Sequence, residues 1–313
     1  MKAFVFDPLW ASLLTKDHEA KLAGARVEVV LSSEIKPLSD KTELYQGSED
    51  RIICLNPDYV DWSLKSEVYS SVPSLKAIIT ASTSFGWIED AYATKNGIPI
   101  VNIRNFSTDA VAEWSVMMML NLARRTPLLI KADFPLNFGS DFQTYQGKNL
   151  VGKKVGIIGL GNIGSAIAKR CEGLGMEVFY WSKSAKDSNH RAVDLEIIFK
   201  QSDIIFPTMA DNAETQGIIT NEILGSMKSD AIFVSIVHKY YNHDLLLKMV
   251  EDGELFGYGF EDEKPSQFSS YKGNIWGVPA YAWCTEGSLT KSMDLFVEAI
   301  VEASKDSFPN KVN

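Results

Sequence analysis

Short apolar, β-branched segments alternate with longer amphipathic segments over the first hundred residues of this chain. Runs of four to six such residues are typical of buried strands, and the segments between them have helical spacing. The predicted strands are 2–6, 27–31, 51–55, 75–80 and 98–102. This alternation predicts a parallel sheet covered by helices.

A second alternating series follows a long predicted helix at 108–125. The predicted strands of this series are the apolar run that opens at 155, then 176–181, 203–206, 231–236 and 255–260, and a predicted helix occupies 163–174. We therefore predict an α/β protein with two Rossmann-like, doubly wound parallel-sheet domains and a cofactor cleft between them.

The domain boundaries follow from the two series. The chain is expected to leave the first domain near Asn102, and a predicted last helix at 286–305 is long enough to cross back. The first, flavodoxin-like substrate domain is then 1–102 plus 287–313, and the dinucleotide-binding domain is 103–286.

Composition narrows the functional classes. The 313 residues are 45% hydrophobic and 23% charged, which is ordinary for a globular protein, and the net charge of -9 comes without basic runs. Nucleic acids and anionic membranes are therefore poor candidates for the main partner, and a small-molecule substrate is expected. The first residues predict a strand and a turn rather than a signal peptide, so we expect a cytoplasmic protein.

Three cysteines, Cys54, Cys171 and Cys284, are widely spaced and include no C-x-x-C pair. Neither a disulfide framework nor a zinc site is indicated, and we expect all three to be buried thiols in a reducing compartment. The histidines and carboxylates show no metal-ligand spacing, so no metal is predicted.

The strongest chemical signal is the G-x-G-x-x-G turn formed by Gly159, Gly161 and Gly164. It follows a buried apolar run and opens a helix at Asn162 and Ile163. In this context the first glycine permits a tight turn, the second lets a pyrophosphate approach the backbone, and the third allows close helix packing. An ordinary glycine-rich turn is the alternative interpretation.

The next strand ends in Tyr180-Trp-Ser-Lys183. An acidic residue at this place would hold the ribose hydroxyls of NAD. Ser182 and Lys183 instead offer an uncharged oxygen and a cation, which suit a 2′-phosphate. We predict NADP(H) as the preferred cofactor, with NAD(H) possible. The alternative is that Lys183 is a solvated surface lysine.

Several spaced motifs resemble one family, the D-isomer-specific 2-hydroxyacid dehydrogenases. They are 96–102 with 109–113, the glycine turn at 151–164, 214–219 with 227–228 and 231–234, and the ending 308–313. The resemblance implies an oxidoreductase that transfers hydride to a small carbonyl substrate. It also implies that Thr215, Ile236 and Glu261 belong to the cofactor site, and that the 108–125 helix forms a homodimer interface.

The chain departs from that resemblance at the catalytic positions. His238 stands where the family has a substrate-binding arginine, Lys239 stands in place of a glycine, and Ala280 replaces the acid/base histidine. Glu261 falls at the position of a family aspartate. The family glutamate has no clear equivalent, and Glu263, displaced from the expected spacing, is the candidate for its place.

Two functions fit these departures. One is a reductase with a rebuilt active site, in which His238, Lys239, Tyr281 and Glu261 are the candidate catalytic residues; Tyr240 and Glu286 are further possible proton donors. The other is a catalytically inactive, cofactor-binding regulatory protein.

The segment Ser82-Thr83-Ser84 resembles the family loop whose backbone N–H groups hold the substrate carboxylate. Near it, Trp87, Trp114, Tyr281 and Trp283 either wall a substrate pocket or pack in a core.

Other residues receive simpler interpretations. Met117, Met118 and Met119 are expected in a core or a subunit interface. His18 and His190 are predicted at the solvated surface, and His243 follows Asn242 at a helix start, where Asn242 is the expected cap.

Overall fold

The computed structural model describes residues 1–132, 138–184, 189–210, 215–236, 240–262 and 270–313. Two predicted catalytic residues, His238 and Lys239, lie outside these ranges, as does Glu263. The chain divides into two compact units: Met1–Phe106 with Thr285–Asn313 is the first domain, and Ser107–Cys284 is the second.

The first domain contains a five-stranded parallel sheet in the order β2-β1-β3-β4-β5. Its strands are β1 (Lys2–Phe6), β2 (Glu28–Ser32), β3 (Arg51–Leu55), β4 (Leu75–Thr80) and β5 (Ile100–Asn102). The central strands are buried along their whole length, which explains their continuous apolar sequences. All five predicted strands are present within two residues of their expected bounds.

Helices cover both faces of this sheet. They are α1 (Trp10–Leu13), α2 (Lys16–Gly24), α3 (Ser66–Ser70), α4 (Ala91–Lys95) and α12 (Glu286–Ala303), with short 3-10 helices at Leu38–Asp40, Thr42–Tyr45 and Pro57–Val60. The last helix returns to this domain because its apolar stripe, which includes Met293, Phe296 and Ile300, is buried against one face of the sheet. Thr285 caps it by accepting a hydrogen bond from the Ser288 N–H at 3.2 Å.

The prediction that His18 is a solvated surface residue is wrong. Its residue exposure is only 2%. The ring belongs to a capping box at the start of α2, since Nδ1 accepts from the Thr15 N–H and the Thr15 side chain accepts from the His18 N–H. His190 is also mostly covered and pairs with Glu172 through Nε2 at 3.1 Å.

The second domain contains a seven-stranded parallel sheet in the order β12-β11-β10-β9-β6-β7-β8. Its strands are β6 (Lys154–Ile158), β7 (Glu177–Trp181), β8 (Arg191–Ala192), β9 (Ile204–Pro207), β10 (Ile232–Ser235), β11 (Gly257–Asp262) and β12 (Ile275–Pro279). From β8 to β11 this is the doubly wound 3-2-1-4-5-6 order, with β12 added at the edge. The pattern of apolar residues did not predict β8, which has two residues, or β12, which contains glycine and proline.

The helices of the second domain pack on both faces of its sheet. They are α5 (Thr108–Ala123), α6 (Thr126–Lys131), α7 (Phe138–Tyr145), α8 (Asn162–Gly173), α9 (Leu195–Gln201), α10 (Asn221–Gly225) and α11 (His243–Glu251). Met118 and Met119 of α5 are fully buried in the core of this domain, and Met117 packs against the same core. The methionine run therefore supplies core packing within one domain.

Two parallel sheets covered by helices confirm the predicted fold class. Cys54 and Cys171 are buried, and burial raises the pKa of the Cys171 thiol to about 12. Cys284 is exposed, so the prediction of three buried thiols is wrong for that residue, which lies in a turn before α12. None of the helices in the described ranges is both long and apolar enough to span a membrane. The same residues contain no cluster of metal-binding side chains.

Candidate cofactor site and substrate loop

The glycine turn lies directly after β6, and each of its three positions has a different structural reason to be glycine. Gly159 has a φ of +97°, which favours glycine, and an added Cβ would lie 2.9 Å from the Met209 Cγ. At Gly164 an added Cβ would collide with the carbonyl of Gly159 and lie 2.7 Å from the Thr208 Oγ1. The first and third glycines are therefore required by the protein itself.

Gly161 is different because an added Cβ there would have no atom within 4 Å. It is the N-cap of α8, and its own carbonyl accepts from the Ser165 N–H at 2.8 Å. Within the described residues, the N–H groups of Gly161 and Ile163 have no acceptor. The open space and the donors at a helix N-terminus fit the pyrophosphate of a dinucleotide.

Neighbouring strands hold the turn in place. The Gly159 N–H donates to the Trp181 carbonyl at 2.8 Å, and the Thr208 hydroxyl donates to the Gly159 carbonyl at 2.6 Å. Thr208 follows β9, the strand beside β6 on the other side from β7, so both contacts lie at the point where the strand order reverses. Sequence reasoning missed Thr208, which no glycine-turn motif includes.

Other predicted cofactor residues also follow strands of this sheet. Ser182 and Lys183 come directly after β7, with Ser182 half-buried and Lys183 exposed. Ile236 follows β10 and packs on the core cluster. Carboxyl ends of parallel strands share one edge, so these residues are on the edge that carries the glycine turn. The Thr215 hydroxyl donates to the Ala210 carbonyl at 2.6 Å.

Glu261 lies near the end of β11, beside Val278 of β12. Its Oε1 accepts hydrogen bonds from the backbone N–H groups of Tyr281 at 3.0 Å and Ala282 at 2.8 Å. Burial raises the pKa of this carboxyl to about 7, although the two N–H donors act in the opposite direction. Tyr281 is 59% exposed and contributes its backbone to this contact, while Ala280 is exposed beside it. The structure therefore brings Glu261 and Tyr281 together.

The predicted substrate loop follows β4 in the first domain. The Ser82 carbonyl accepts from the Ile103 N–H at 3.2 Å, and the Thr83 carbonyl accepts from the Asn102 side chain at 2.6 Å. The Ser84 carbonyl accepts from the Ser82 hydroxyl at 2.6 Å. Within the described part of the chain, the N–H groups of the same three serine and threonine residues have no acceptor. The carbonyls of this loop accept hydrogen bonds from within the domain, while its N–H groups can donate to a ligand. Such an arrangement suits an anion.

Trp87 stabilises this loop. Its Nε1 donates to the Ser84 carbonyl at 3.0 Å, and its ring meets Trp62 edge to face with centroids 6.2 Å apart. Trp62 has a φ of +52° and is about half exposed. Trp114 packs against the core of the second domain, as the core interpretation expects.

Sequence reasoning also missed a buried polar chain in the second domain. The Tyr258 hydroxyl lies 2.8 Å from the His243 Nδ1 and 3.1 Å from the Tyr241 hydroxyl. Burial raises the pKa of Tyr241 to about 12. The predicted cap of α11 is confirmed, since Asn242 Oδ1 accepts from the Leu245 N–H at 3.1 Å. His243 therefore has a packing role besides its place at the helix start.

This fold and turn define a two-domain α/β protein of the dinucleotide-binding class. The family model "D-isomer specific 2-hydroxyacid dehydrogenase, NAD binding domain" matches residues 116–276. The chain is 30% identical over 232 residues to a glyoxylate reductase of Thermococcus kodakarensis, covering 69% of this chain and 68% of the relative. The chain belongs to the D-isomer specific 2-hydroxyacid dehydrogenase family.

Solved structures agree with this fold. A glyoxylate reductase from Paecilomyes thermophila superposes with a TM-score of 0.83 at 20% identity, covering 100% of this chain and 98% of the other. An acyclic imino acid reductase solved with NADPH and D-Arg gives a TM-score of 0.81 at 21% identity, with 100% of both chains covered. At these identities the likeness concerns the fold.

Proposed function

We propose that the protein is an oxidoreductase that prefers NADP(H) and transfers hydride to a small carbonyl substrate through a non-standard active site. The observation that carries the proposal is the Ser82–Ser84 loop. Its three carbonyls accept hydrogen bonds within the domain, and its N–H groups have no acceptor among the described residues, as binding of a substrate carboxylate requires. Family membership supplies the reaction type.

The cofactor would bind along the carboxyl edge of the second sheet. Gly161, Asn162 and Ile163 would hold the pyrophosphate, while Gly159 and Gly164 shape the turn. Ser182 and Lys183 would contact the 2′-phosphate of NADP(H), because a hydroxyl and an exposed ammonium are a donor set that suits a phosphate. When bound in its reduced form, the nicotinamide supplies the hydride.

The nicotinamide half would extend towards β9, β10 and β11, where Thr215, Ile236 and Glu261 are the candidate contacts. In the sheet order, β11 is three positions from β6. At a strand spacing of about 4.8 Å, the end of β11 is about 14 Å from the glycine turn, within reach of an extended dinucleotide. Glu261 is therefore a candidate to touch the reacting atoms.

His238, Lys239, Tyr281 and Glu261 are the proposed catalytic residues. Among the two described ones, Glu261 has the stronger support, since its pKa of about 7 suits a group that exchanges a proton near neutral pH. Tyr281 is an exposed residue, and its backbone N–H helps to orient Glu261.

We also propose a cytoplasmic homodimer. The exposed apolar side chains of the second domain support a subunit interface better than the methionine run does, because Met118 and Met119 are already buried. These exposed side chains are Leu120, Ile130, Phe142 and Val151. Light scattering at micromolar concentration should give about twice the 34.8 kDa chain mass; a monomer would contradict the proposal.

Titration with NADPH, followed by the cofactor's own fluorescence, tests the function directly. The proposal expects saturable binding, and then oxidation of NADPH on addition of a compound from a panel of keto acids, aldehydes and imines. Saturable NADPH binding without oxidation across the whole panel would favour a cofactor-binding regulatory protein. Absence of NADPH binding would refute both.

A further inference from the structure

Arg104 follows the last strand of the first sheet and lies beside the proposed substrate loop. Thr80 at the end of β4 pairs with Asn102 at the end of β5. Because neighbouring parallel strands end at the same edge of a sheet, the segments that follow them, Ser82–Ser84 and Arg104, leave that edge side by side. All of these residues belong to the first domain.

Two hydrogen bonds connect Arg104 to the loop through the side chain of Asn102. The Arg104 Nε donates to the Asn102 Oδ1 at 3.1 Å, and the Asn102 Nδ2 donates to the Thr83 carbonyl at 2.6 Å. Asn102 is only 2% exposed, so packing holds its amide in this orientation. The two bonds and the width of one amide place the Arg104 Nε within about 8 Å of the Thr83 carbonyl oxygen.

The other donors of the Arg104 guanidinium are available to a ligand. Across the part of the chain that the structure describes, neither terminal nitrogen donates a hydrogen bond, and no carboxylate lies within 4.0 Å of them. Arg104 is an exposed residue. Glu89, the acidic residue nearest to the loop in the sequence, pairs instead with Lys65 at 2.7 Å. Arg104 therefore presents a cationic fork without an acidic partner.

The loop and Arg104 offer two kinds of donor to one anion. The N–H groups of Ser82–Ser84 have no acceptor among the described residues, and the guanidinium adds paired N–H donors and a positive charge. A carboxylate has two oxygens with about four lone-pair sites, and its shape matches a planar guanidinium. Donors on opposite sides of a bound carboxylate are about 5–8 Å apart, which agrees with the separation of the loop and Arg104.

We propose that Arg104 is a substrate-binding residue whose terminal nitrogens bind the same carboxylate as the N–H groups of Ser82–Ser84. The inference rests on the proposed function and narrows its substrates to carbonyl compounds that carry a carboxylate. A neutral aldehyde would leave the guanidinium without a partner. Arg104 therefore determines the specificity of the first domain for acids.

Arg104→Gln separates this role from the bond to Asn102. The glutamine Nε2 takes nearly the place of the arginine Nε and can still donate to the Asn102 Oδ1, whereas the terminal nitrogens and the charge are lost. Thermal unfolding should therefore change little. Arg26→Gln is the matched control, because Arg26 is also exposed and in the first domain, but precedes β2 at the opposite edge of the sheet.

Binding can be measured where no hydride can pass. We would saturate the full-length protein with NADPH and titrate it by calorimetry with D-lactate, D-glycerate and D-malate, and with lactamide as the neutral counterpart of lactate. The cofactor and the ligand are then both reduced. Arg104→Gln should weaken binding of the carboxylates by about 10- to 100-fold and leave binding of lactamide and NADPH unchanged. Arg26→Gln should change none of these affinities.

Turnover gives a second readout. For a keto acid that oxidises NADPH with the parent protein, Arg104→Gln should raise KM by about 10- to 100-fold and keep kcat within about threefold, because the contact is the same in the bound substrate and in the transition state. The KM of an aldehyde should not change. A loss of kcat alone would contradict a role in binding the carboxylate.

Two binding results would overturn the inference. One is equal carboxylate affinity in the parent and in Arg104→Gln, or an equal loss in Arg104→Gln and Arg26→Gln. The other is a matching loss of NADPH affinity in Arg104→Gln, which would place Arg104 on the cofactor. The proposed function stands after either result if the parent oxidises NADPH with a compound of the panel. Absence of NADPH binding to the parent would refute the proposed function and this inference together.

Discussion

The His18 Nε2 lies 2.7 Å from the Asp294 Oδ1, although the two residues are 276 positions apart in the sequence. The contact joins α2 to α12, the first and last long helices of the first domain. The other ring nitrogen accepts from the Thr15 N–H at 3.2 Å, so the proton of a neutral ring is on Nε2 and is donated to Asp294. One buried imidazole thus caps one helix and ties it to the helix that closes the domain.

Replacing His18 with alanine should lower the free energy of unfolding by about 1–3 kcal/mol. The change removes the acceptor for the Thr15 N–H, the bond to Asp294 and the packing of a buried ring. Chemical denaturation of the whole protein would measure it. Lys21→Ala, which breaks the exposed Lys21–Asp17 pair on the same helix, is the control and should cost less than about 0.5 kcal/mol. Similar losses in both variants would contradict the role given to His18.

Alanine at Gly161 and at Gly164 should have different effects. The Gly161 variant has room for its methyl group and should unfold like the parent, yet lose most of its NADPH affinity because the methyl occupies the space above the turn. The Gly164 variant should be destabilised by about 1–3 kcal/mol, since its methyl collides with the Gly159 carbonyl. Thermal unfolding and NADPH titration separate the two. Normal NADPH binding by the Gly161 variant would place the cofactor elsewhere.

Lys183→Ala should remove most of the preference for NADPH over NADH. An exposed ammonium beside a 2′-phosphate contributes a charge-assisted contact that NADH lacks, so NADPH affinity should fall about tenfold and NADH affinity should stay within about twofold. Titration with both reduced cofactors measures this, and Lys200→Ala on α9 is the control for loss of a surface charge. Equal affinities of the parent protein for NADPH and NADH would contradict the predicted NADPH preference.

Glu261 should make the protein less stable as the pH rises from about 4.5 to 7. The folded-state pKa of about 7 is above the ordinary value of 4.5, so the folded protein holds a proton that the unfolded chain has released in this range. The folded state is favoured below this range, and that contribution is lost as the pH rises through 7. Partial exposure limits the effect to about 1–3 kcal/mol.

Glu261→Gln is the test of that pH effect. The free energy of unfolding of the variant, minus that of the parent, should increase from pH 5 to pH 8. Glutamine does not ionise, so the variant keeps the stability that the parent loses in this range. Denaturation curves for both proteins at the two pH values give the difference. A constant difference would mean that Glu261 does not titrate in this range.

The parent protein should be nearly inactive with pyruvate, glyoxylate and hydroxypyruvate. Ala280 offers no proton, and a positioned acid/base group is worth roughly 10²- to 10⁴-fold in rate. The double variant His238→Arg, Ala280→His supplies both a cationic fork and an imidazole, and it should gain activity on these keto acids in a steady-state assay. Turnover by the parent that equals or exceeds that of the double variant would show that other residues perform the chemistry.

The amino-acid sequence determined most of the architecture, because buried parallel strands need continuous apolar residues. The first five strands and the glycine turn were all predicted from that pattern. Gly159 and Gly164 show why a turn motif can be recognised locally: the φ of +97° at Gly159, and the collision of an added Cβ at Gly164 with the Gly159 carbonyl, both arise within the turn itself.

Contacts between distant segments were decided only by the tertiary structure. His18 appears in a polar sequence, yet α12 covers it, and no local pattern shows a partner 276 residues away. The pKa of Glu261 depends on burial and on a turn twenty residues later, and the available N–H groups of Ser82–Ser84 depend on where Asn102 and Ile103 lie. Composition and periodicity indicate which side of an element is buried. The protonation and hydrogen bonding of a side chain depend instead on which groups the folded chain places beside that side chain.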